Sequence, residues 1–251
     1  MGAERPAHRR RRKRSAASRL RRFWIATVIV AVVLGSGLFA LASWPGFDPR
    51  SITVEGNSVV STAAILARAQ IAPRQNIWLQ STAEMRARIQ AIPYVLTARI
   101  HRTLPSTVTI AIREREPFAT VIAPQGHALV DSALRVLASG NASADLPQLL
   151  MRTPQILTPG TFLEDPGVIR LRDDALALAK ANVVVRRLRY DRFDELVVEL
   201  RSGINVLLGG QRDFTKKIAL IDPIVAQVSR SHRPIAAIDL RAPTTPVVVY
   251  K

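Results

Sequence analysis

The sequence predicts an α+β chain: a single membrane-crossing helix, then a β-α-α-β-β domain, then a C-terminal mixed β domain with flanking helices. Three observations predict it. Phe23 to Ser43, FWIATVIVAVVLGSGLFALAS, contains no charged residue. A strand, helix, helix, strand, strand order follows from Arg50. The second half is rich in aliphatic β-branched residues and the chain has only 5% aromatics, which favours strands over a helical bundle.

The apolar stretch is long enough to cross a bilayer, because about 20 helical residues at roughly 1.5 Å each match a hydrocarbon core about 30 Å thick. Trp24 and Trp44 stand at its ends, where amphipathic indoles prefer the interface. Ten basic residues and one acid, Glu4, precede Phe23. Loops rich in Lys and Arg stay in the cytoplasm, so everything after Trp44 is expected outside the membrane. A cleaved signal peptide is the rival reading, since Ala40, Leu41 and Ala42 spell a small-x-small site; its apolar core would be shorter than this run. A buried core helix would keep a polar face, and this one is apolar all round. Residues 1–22 lack apolar periodicity and are expected to be a disordered basic cytoplasmic tail, with the helix over residues 23–44.

The same arginines explain most of the formal net charge of +17, since the segment before Phe23 carries +9 of it. The remaining positive charge is spread thinly with no arginine run interleaved with aromatics, which argues against nucleic-acid binding. There is no cysteine, so disulfides, thiolate zinc sites and cysteine nucleophiles are excluded.

Pro45, Gly46 and Pro49 break the helix. Ser51 to Glu55 alternates as a strand with Ile52 and Val54 on one face, and Gly56-Asn57 supplies the turn that ends it. Ser61 is placed to cap a helix through Ala69 that turns Ile65, Leu66 and Ala69 inward. Ser81 and Glu84 have capping-box spacing ahead of Met85, Ile89 and Ile92, and Pro93 stops that second helix. Val95 to Arg102 and Thr107 to Arg115 read as strands; Val108, Ile110 and Ile112 alternate most cleanly with polar neighbours.

Further on, Asp165 and Pro166 suit the N-cap and first residue of a helix ending near Asn182, with Ile169, Leu176 and Ala177 inward. Val183 to Tyr190, Leu196 to Leu200 and Ile204 to Leu208 read as strands, the last two joined through Arg201, Ser202 and Gly203. Asp213 is expected to cap a helix to about Val228, which Pro223 bends or restarts. Ile235 to Leu240 and Val247 to Tyr250 close the chain as strands, with Pro243 and Pro246 between them.

No catalytic constellation emerges. His8, His101, His127 and His232 lie in unrelated contexts without a second ligand at metal spacing. His127, Asp131 and Ser132 lack a strand-to-helix nucleophile elbow. Glu114 and Glu116 flank Arg115 at what reads as a solvated strand end. Gly35-Ser-Gly37 lies inside the span, and Gly209-Gly210 reads as a strand-to-helix turn. A non-enzymatic interaction module is expected, with no cofactor, metal, nucleic acid or small-molecule substrate.

A domain of about 70 residues directly after a membrane span resembles a POTRA domain. The resemblance sharpens with Ile52-Thr-Val-Glu-Gly-Asn57, Ile92-Pro-Tyr-Val95, Ala98-Arg-Ile-His-Arg102, Leu104-Pro-Ser-Thr-Val-Thr-Ile110 and Glu114-Arg-Glu-Pro-Phe-Ala119. In this order, behind one span with a basic tail, they resemble the bacterial cell-division family FtsQ, called DivIB in Gram-positives. Leu129-Val-Asp131 is similar to the strand opening the family's β domain, and Leu146-Pro147 to its next marker; Ala133 stands where the family usually has glycine. Ser202-Gly-Ile-Asn-Val-Leu-Leu-Gly209 and Ile238-Asp-Leu-Arg241 are similar to later signatures.

The resemblance implies a POTRA domain over residues 49–117 and an FtsQ-type β domain over 118–251. It implies a single-pass inner-membrane protein at the division septum, with both domains extracytoplasmic. It further implies that the C-terminal end of the β domain holds FtsB together with FtsL (DivIC/FtsL-type) by strand addition, while the POTRA domain meets other division proteins. By position, the implied partner-binding residues are Arg241, Ala242, Thr244, Thr245, Val247, Val249 and Tyr250, with Arg192 beside them. The competing class is a POTRA-bearing envelope assembly or secretion factor, which would carry a β-barrel or tandem POTRA units.

Overall fold

The computed structural model describes residues 16–140, 143–230 and 233–250. The expected tail at residues 1–15 and His232 lie outside the described residues. Two compact units divide the chain: one gathers the chain up to Thr53 with Ile71–Thr82 and His101–Thr109, the other Val54–Gln70, Ala83–Ile100 and everything from Ile110.

Helix α1 spans Ala16–Ala42, so it starts ahead of the expected Phe23 and residues 16–22 are helical rather than part of an unstructured tail. Within it Leu20–Ala40 is long and apolar enough to cross a membrane. Its apolar side chains face outward, Phe39 at 74% exposure, an arrangement that suits a hydrocarbon solvent and no aqueous one. The hydroxyls of Thr27 and Ser36 donate to Phe23 and Val32 carbonyls at 3.0 and 2.7 Å, so neither needs water. A short 3-10 turn, Pro45–Phe47, follows.

The expected β-α-α-β-β order is observed as β1 (Ser51–Glu55), α2 (Thr62–Ala69), α3 (Thr82–Gln90), β2 (Val95–Thr103) and β3 (Thr107–Glu114), with sheet order β1-β3-β2. In β3 the period-two pattern holds: Val108, Ile110 and Ile112 are buried. Ser61 caps α2 as expected, its hydroxyl accepting from the Ala64 N–H at 3.2 Å. Gly56 ends β1 at φ +80°, and a Cβ there would stand 2.2 Å from the Ile112 carbonyl oxygen. Only glycine fits both conditions.

Glu114 differs from expectation. Its carboxylate accepts from the Ser58 hydroxyl (2.8 Å) and the Val59 and Val60 N–H groups (2.9 and 2.8 Å), so it clamps the loop before α2. The sequence could not place that loop beside a residue more than fifty positions away. Partial burial pushes this carboxyl up, but those three donors outweigh it and hold the pKa below the ordinary value.

The second sheet has nine strands in the order β12-β11-β10-β9-β8-β7-β4-β5-β6. Strand β4 (Ala119–Ala123) opens it, ahead of the Leu129-Val-Asp131 marker, which falls in β5 (Gly126–Val130) and the turn after it. Then come β6 (Val136–Ser139), β7 (Gln148–Leu150), α4 (Pro166–Lys180), β8 (Val185–Tyr190), β9 (Leu196–Leu200), β10 (Asn205–Gly209), α5 (Phe214–Ser229), β11 (Ile235–Asp239) and β12 (Val247–Tyr250). Neighbours β4/β7, β7/β8 and β10/β11 run parallel; the rest run antiparallel. Helix α4 packs on β7 and β8, and α5 on β10, so helices cover one face of the sheet.

Asp165 caps α4 as expected, accepting from the Val168 N–H at 3.0 Å with Pro166 in the first turn. The inward face is phased differently, however: Val168, Leu171, Ala175 and Leu178 are buried while Leu176 is 40% exposed. Asp213 does not cap α5 with its side chain; it is left-handed (φ 55°), and its carboxylate pairs with Lys216 at 2.9 Å. The helix continues through Pro223 without a break. Lys217 is buried and donates to the Leu208 and Gly210 carbonyls at 2.7 and 3.0 Å, satisfying the β10-to-α5 turn.

The turn after β5 centres on Asp131, which is 5% exposed. Its carboxylate accepts from Ala133 N–H (3.0 Å), Arg135 N–H (2.8 Å) and the Arg115 guanidinium (2.6 Å). The left-handed position of this turn is taken by Leu134 (φ 61°), so Ala133 needs no glycine-like freedom.

Two outcomes follow for stability. Glu114→Gln should cost about 1–3 kcal/mol near neutral pH, by loss of charge-assisted bonds to the loop. Because the folded-state pKa is depressed, that stabilisation is present above the unfolded pKa and is lost as pH falls through the folded one, so urea-unfolding midpoints of variant and parent should converge in acid. Asp131→Ala should cost about 3–5 kcal/mol by leaving Arg115 buried without its partner, whereas Ser132→Ala should leave the unfolding midpoint unchanged.

Candidate functional site

Strand β12 is the terminal strand of the nine-stranded sheet. It pairs antiparallel with β11, Val247 opposite Asp239, Val248 opposite Ile238, Val249 opposite Ala237 and Tyr250 opposite Ile235. Side chains alternate across a strand, so Val248 shares the face of buried Ile238 while Val247 and Val249 stand on the opposite face, 55% and 47% exposed. That face continues through Asp239 and Ala237 to Leu207 and Asn205 of β10. On its outer side β12 presents the N–H and C=O groups of a sheet edge, the groups a further strand would bond.

The connection from β11 to β12 holds Arg241, Ala242, Thr244 and Thr245, all exposed, in a turn in which Thr245 N–H bonds the Ala242 carbonyl at 3.2 Å. Arg241 is not a free cation. Its guanidinium holds Asp239 at 2.6 Å and reaches Glu195 at 3.4 Å. Its aliphatic stem lies over Gly209, where a Cβ would come within 2.9 Å of it. One side chain thus ties the ends of β9, β10 and β11. Its hydrogen bonds to Asp239 and then Glu195 raise its pKa further, and the same contact to Arg241 leads the lowering of Asp239.

Tyr250 sits under the Arg233 guanidinium, 4.3 Å from the ring centroid. Arg192 lies in the β8-to-β9 turn, stacked on the exposed ring of Phe193 at 4.7 Å. The structure therefore gathers the β12 residues and the preceding turn at one end of the sheet. Arg192 lies in the same turn as Glu195, the second partner of Arg241, and its own contact is with Phe193. Of the three residues that Arg241 meets, Gly209 is legible in the sequence only as a strand-to-helix turn. Asp239 was legible as part of the Ile238-Asp-Leu-Arg241 signature, but Glu195 carries no local signal because its contact is 46 residues away.

The other candidates are dispersed. His101 is exposed on β2 and His127 half-buried on β5. Among the described residues no group of three His, Cys, Asp or Glu is placed to hold a metal ion. Arg241→Gln should leave the global unfolding midpoint unchanged while speeding hydrogen exchange at Val247–Tyr250, since the turn leading into β12 loses its tether.

The profile of the family "POTRA domain, FtsQ-type" matches residues 47–115. The cell division protein FtsQ of Mycolicibacterium smegmatis is 29% identical over 198 residues, 78% of this chain and 56% of that protein, so the chain spans about half the length of that relative. FtsQ of Rhizobium meliloti is 24% identical over 87% of this chain and 69% of its own length. Among solved structures, the major extracytoplasmic domain of the cell division protein DivIB from Geobacillus stearothermophilus matches 47% of this chain and 96% of that domain, at 20% identity and a TM-score of 0.31. Residues 47–115 thus carry the FtsQ-type POTRA match, and the similarity to cell division proteins FtsQ runs on beyond it into the second sheet.

Proposed function

We propose that this chain is a bitopic, non-enzymatic cell-division scaffold that captures a partner strand at the β12 edge. The observation that carries this is the position of β12, the last strand of the sheet, with Val247 and Val249 exposed beside a row of edge backbone groups. Main-chain bonds from an added strand supply affinity, and the alternate side chains at 247 and 249 supply selectivity. The names of its relatives, cell division proteins FtsQ and DivIB, support the cellular setting.

In this reading the basic segment ahead of α1 is cytoplasmic and the modules at residues 49–117 and 118–251 lie beyond the inner membrane at the septum. The captured strand belongs to FtsB, arriving with FtsL. Arg241, Ala242, Thr244, Thr245, Val247, Val249 and Tyr250 line the contact, with Arg192 at its border. The POTRA module offers a separate surface to other division proteins.

The test is co-purification of the detergent-solubilised full chain with the FtsB/FtsL pair of the same organism. Val249→Lys puts a charge on the exposed side of the edge, where it repels an incoming apolar strand without touching the core beneath. Capture should fall by at least tenfold, equivalent to about 1.4 kcal/mol, while circular dichroism stays unchanged. Undiminished capture by a folded Val249→Lys chain would refute strand addition at this edge.

A further inference from the structure

The loop from Ile71 to Thr82 has an inverted pattern. Its polar residues Asn76 and Gln80 are each only 9% exposed, while Trp78 and Leu79 are exposed at 42% and 64%. The burial of the polar pair has a structural cause. Gln80 donates to the Ala72 and Gln75 carbonyls (3.0 and 2.8 Å) and accepts from Ala72 N–H (3.0 Å), holding the loop in shape. Asn76 accepts from Trp78 N–H at 2.8 Å and donates to the Ala42 carbonyl, at the last residue of α1, at 2.9 Å. Large apolar side chains held outward by a hydrogen-bonded loop, with the Arg102 guanidinium 6.0 Å from the Trp78 ring centroid, make a surface patch that suits an apolar neighbour.

Their distance from the membrane is short. Ala42 is two residues beyond the apolar window Leu20–Ala40, about 3 Å along a helix axis. The backbone adds two more ties, Ile77 N–H to the Phe47 carbonyl and Arg50 N–H to the Ser106 carbonyl, both 3.0 Å. The second brings the β2-to-β3 turn alongside, and that turn carries Leu104 at 67% exposure. Trp44, 56% exposed and edge-on to Phe47 at 5.2 Å, stands where the helix ends. The headgroup layer beyond the hydrocarbon is about 5–8 Å deep on each side, which places these side chains within its reach. Arg102 anchors the loop through the Trp78 and Gln80 carbonyls, and Arg50 and Arg74 are exposed on the same segments.

We propose that Trp44, Trp78, Leu79 and Leu104 form an interfacial foot that enters the headgroup layer of the bilayer crossed by α1, with Arg50 and Arg74 favouring anionic lipid. The foot fixes the height and tilt of this end of the POTRA domain, because three hydrogen bonds join it to the helix exit. It requires that α1 cross a membrane and does not depend on the division role or on the β12 edge.

The chain has three tryptophans, so Trp24→Phe with Trp44→Phe leaves Trp78 as the single reporter. The full-length double variant is reconstituted into vesicles of phosphatidylcholine and of phosphatidylcholine mixed with phosphatidylglycerol. The expected result is blue-shifted Trp78 emission, quenched severalfold more by lipids brominated near the headgroup end of their chains than by aqueous iodide, and more strongly in the anionic vesicles. Adding Leu79→Glu, at an already exposed position, should reduce lipid quenching with an unchanged circular dichroism spectrum. Water-like emission with full access to iodide would overturn the foot. Protection that rises with protein-to-lipid ratio would assign the face to protein contact and overturn it equally. Equal lipid quenching in the two vesicles would overturn the part given to Arg50 and Arg74.

Discussion

The ion pair between Arg115 and Asp131 is the constraint on which the second compact unit is built. Both side chains are nearly enclosed, at 11% and 7% exposure, and a bond of 2.6 Å joins them. Both residues are also tied to backbone: Arg115 donates from its own N–H to the Tyr94 carbonyl and from Nε to the Val95 carbonyl, and the Asp131 carboxylate accepts from the N–H groups of Ala133 and Arg135. A buried ion pair is weak as a source of stability, because desolvation offsets the Coulomb gain, but it tolerates few geometries. Here it determines how the chain leaves β3 and how β5 turns into β6. The Arg115 and Arg135 guanidinium groups both lie over the ring of Phe162, 5.9 and 5.5 Å away, which closes the cluster.

From that turn the sheet grows outward in both directions, to β6 at one edge and to β12 at the other. The two helices α4 and α5 cover one face, with Leu171, Leu178, Ile218 and Ile221 in the core. Burying apolar area on one side leaves the other side and the edges to solvent or to partners. The Arg241 clasp holds β9, β10 and β11 together at the end where β12 is hung, so the strand farthest from the core is attached to a braced frame.

The chain also controls the surface closest to the membrane by burying polar groups and exposing apolar ones. Asn76 and Gln80 are spent on loop and helix-end carbonyls, so the neighbouring Trp78 and Leu79 cannot fold inward. In α1 the hydroxyls of Thr27 and Ser36 turn back onto the helix, leaving the surface from Phe23 to Ala40 apolar.

The sequence by itself determined the features governed by neighbours a few residues apart. The apolar span, the alternation of Val108, Ile110 and Ile112, the Ser61 and Asp165 caps and the limits of β1, β9 and β12 all follow from local periodicity or a nearby free N–H. Only tertiary structure decided the rest: the parallel pairings β4/β7, β7/β8 and β10/β11, the placing of β12 at the edge, the Glu114 clamp, the Arg241 clasp and the outward face of Trp78. The inward phase of α4 belongs there too, since Leu176 is as apolar as Leu178 and only the position of the sheet beneath selects between them. The physical reason is that a hydrogen-bonding edge, a carboxylate or an apolar ring carries no record in its own neighbourhood of which distant group will meet it. That choice is made when loops close and the sheet excludes water.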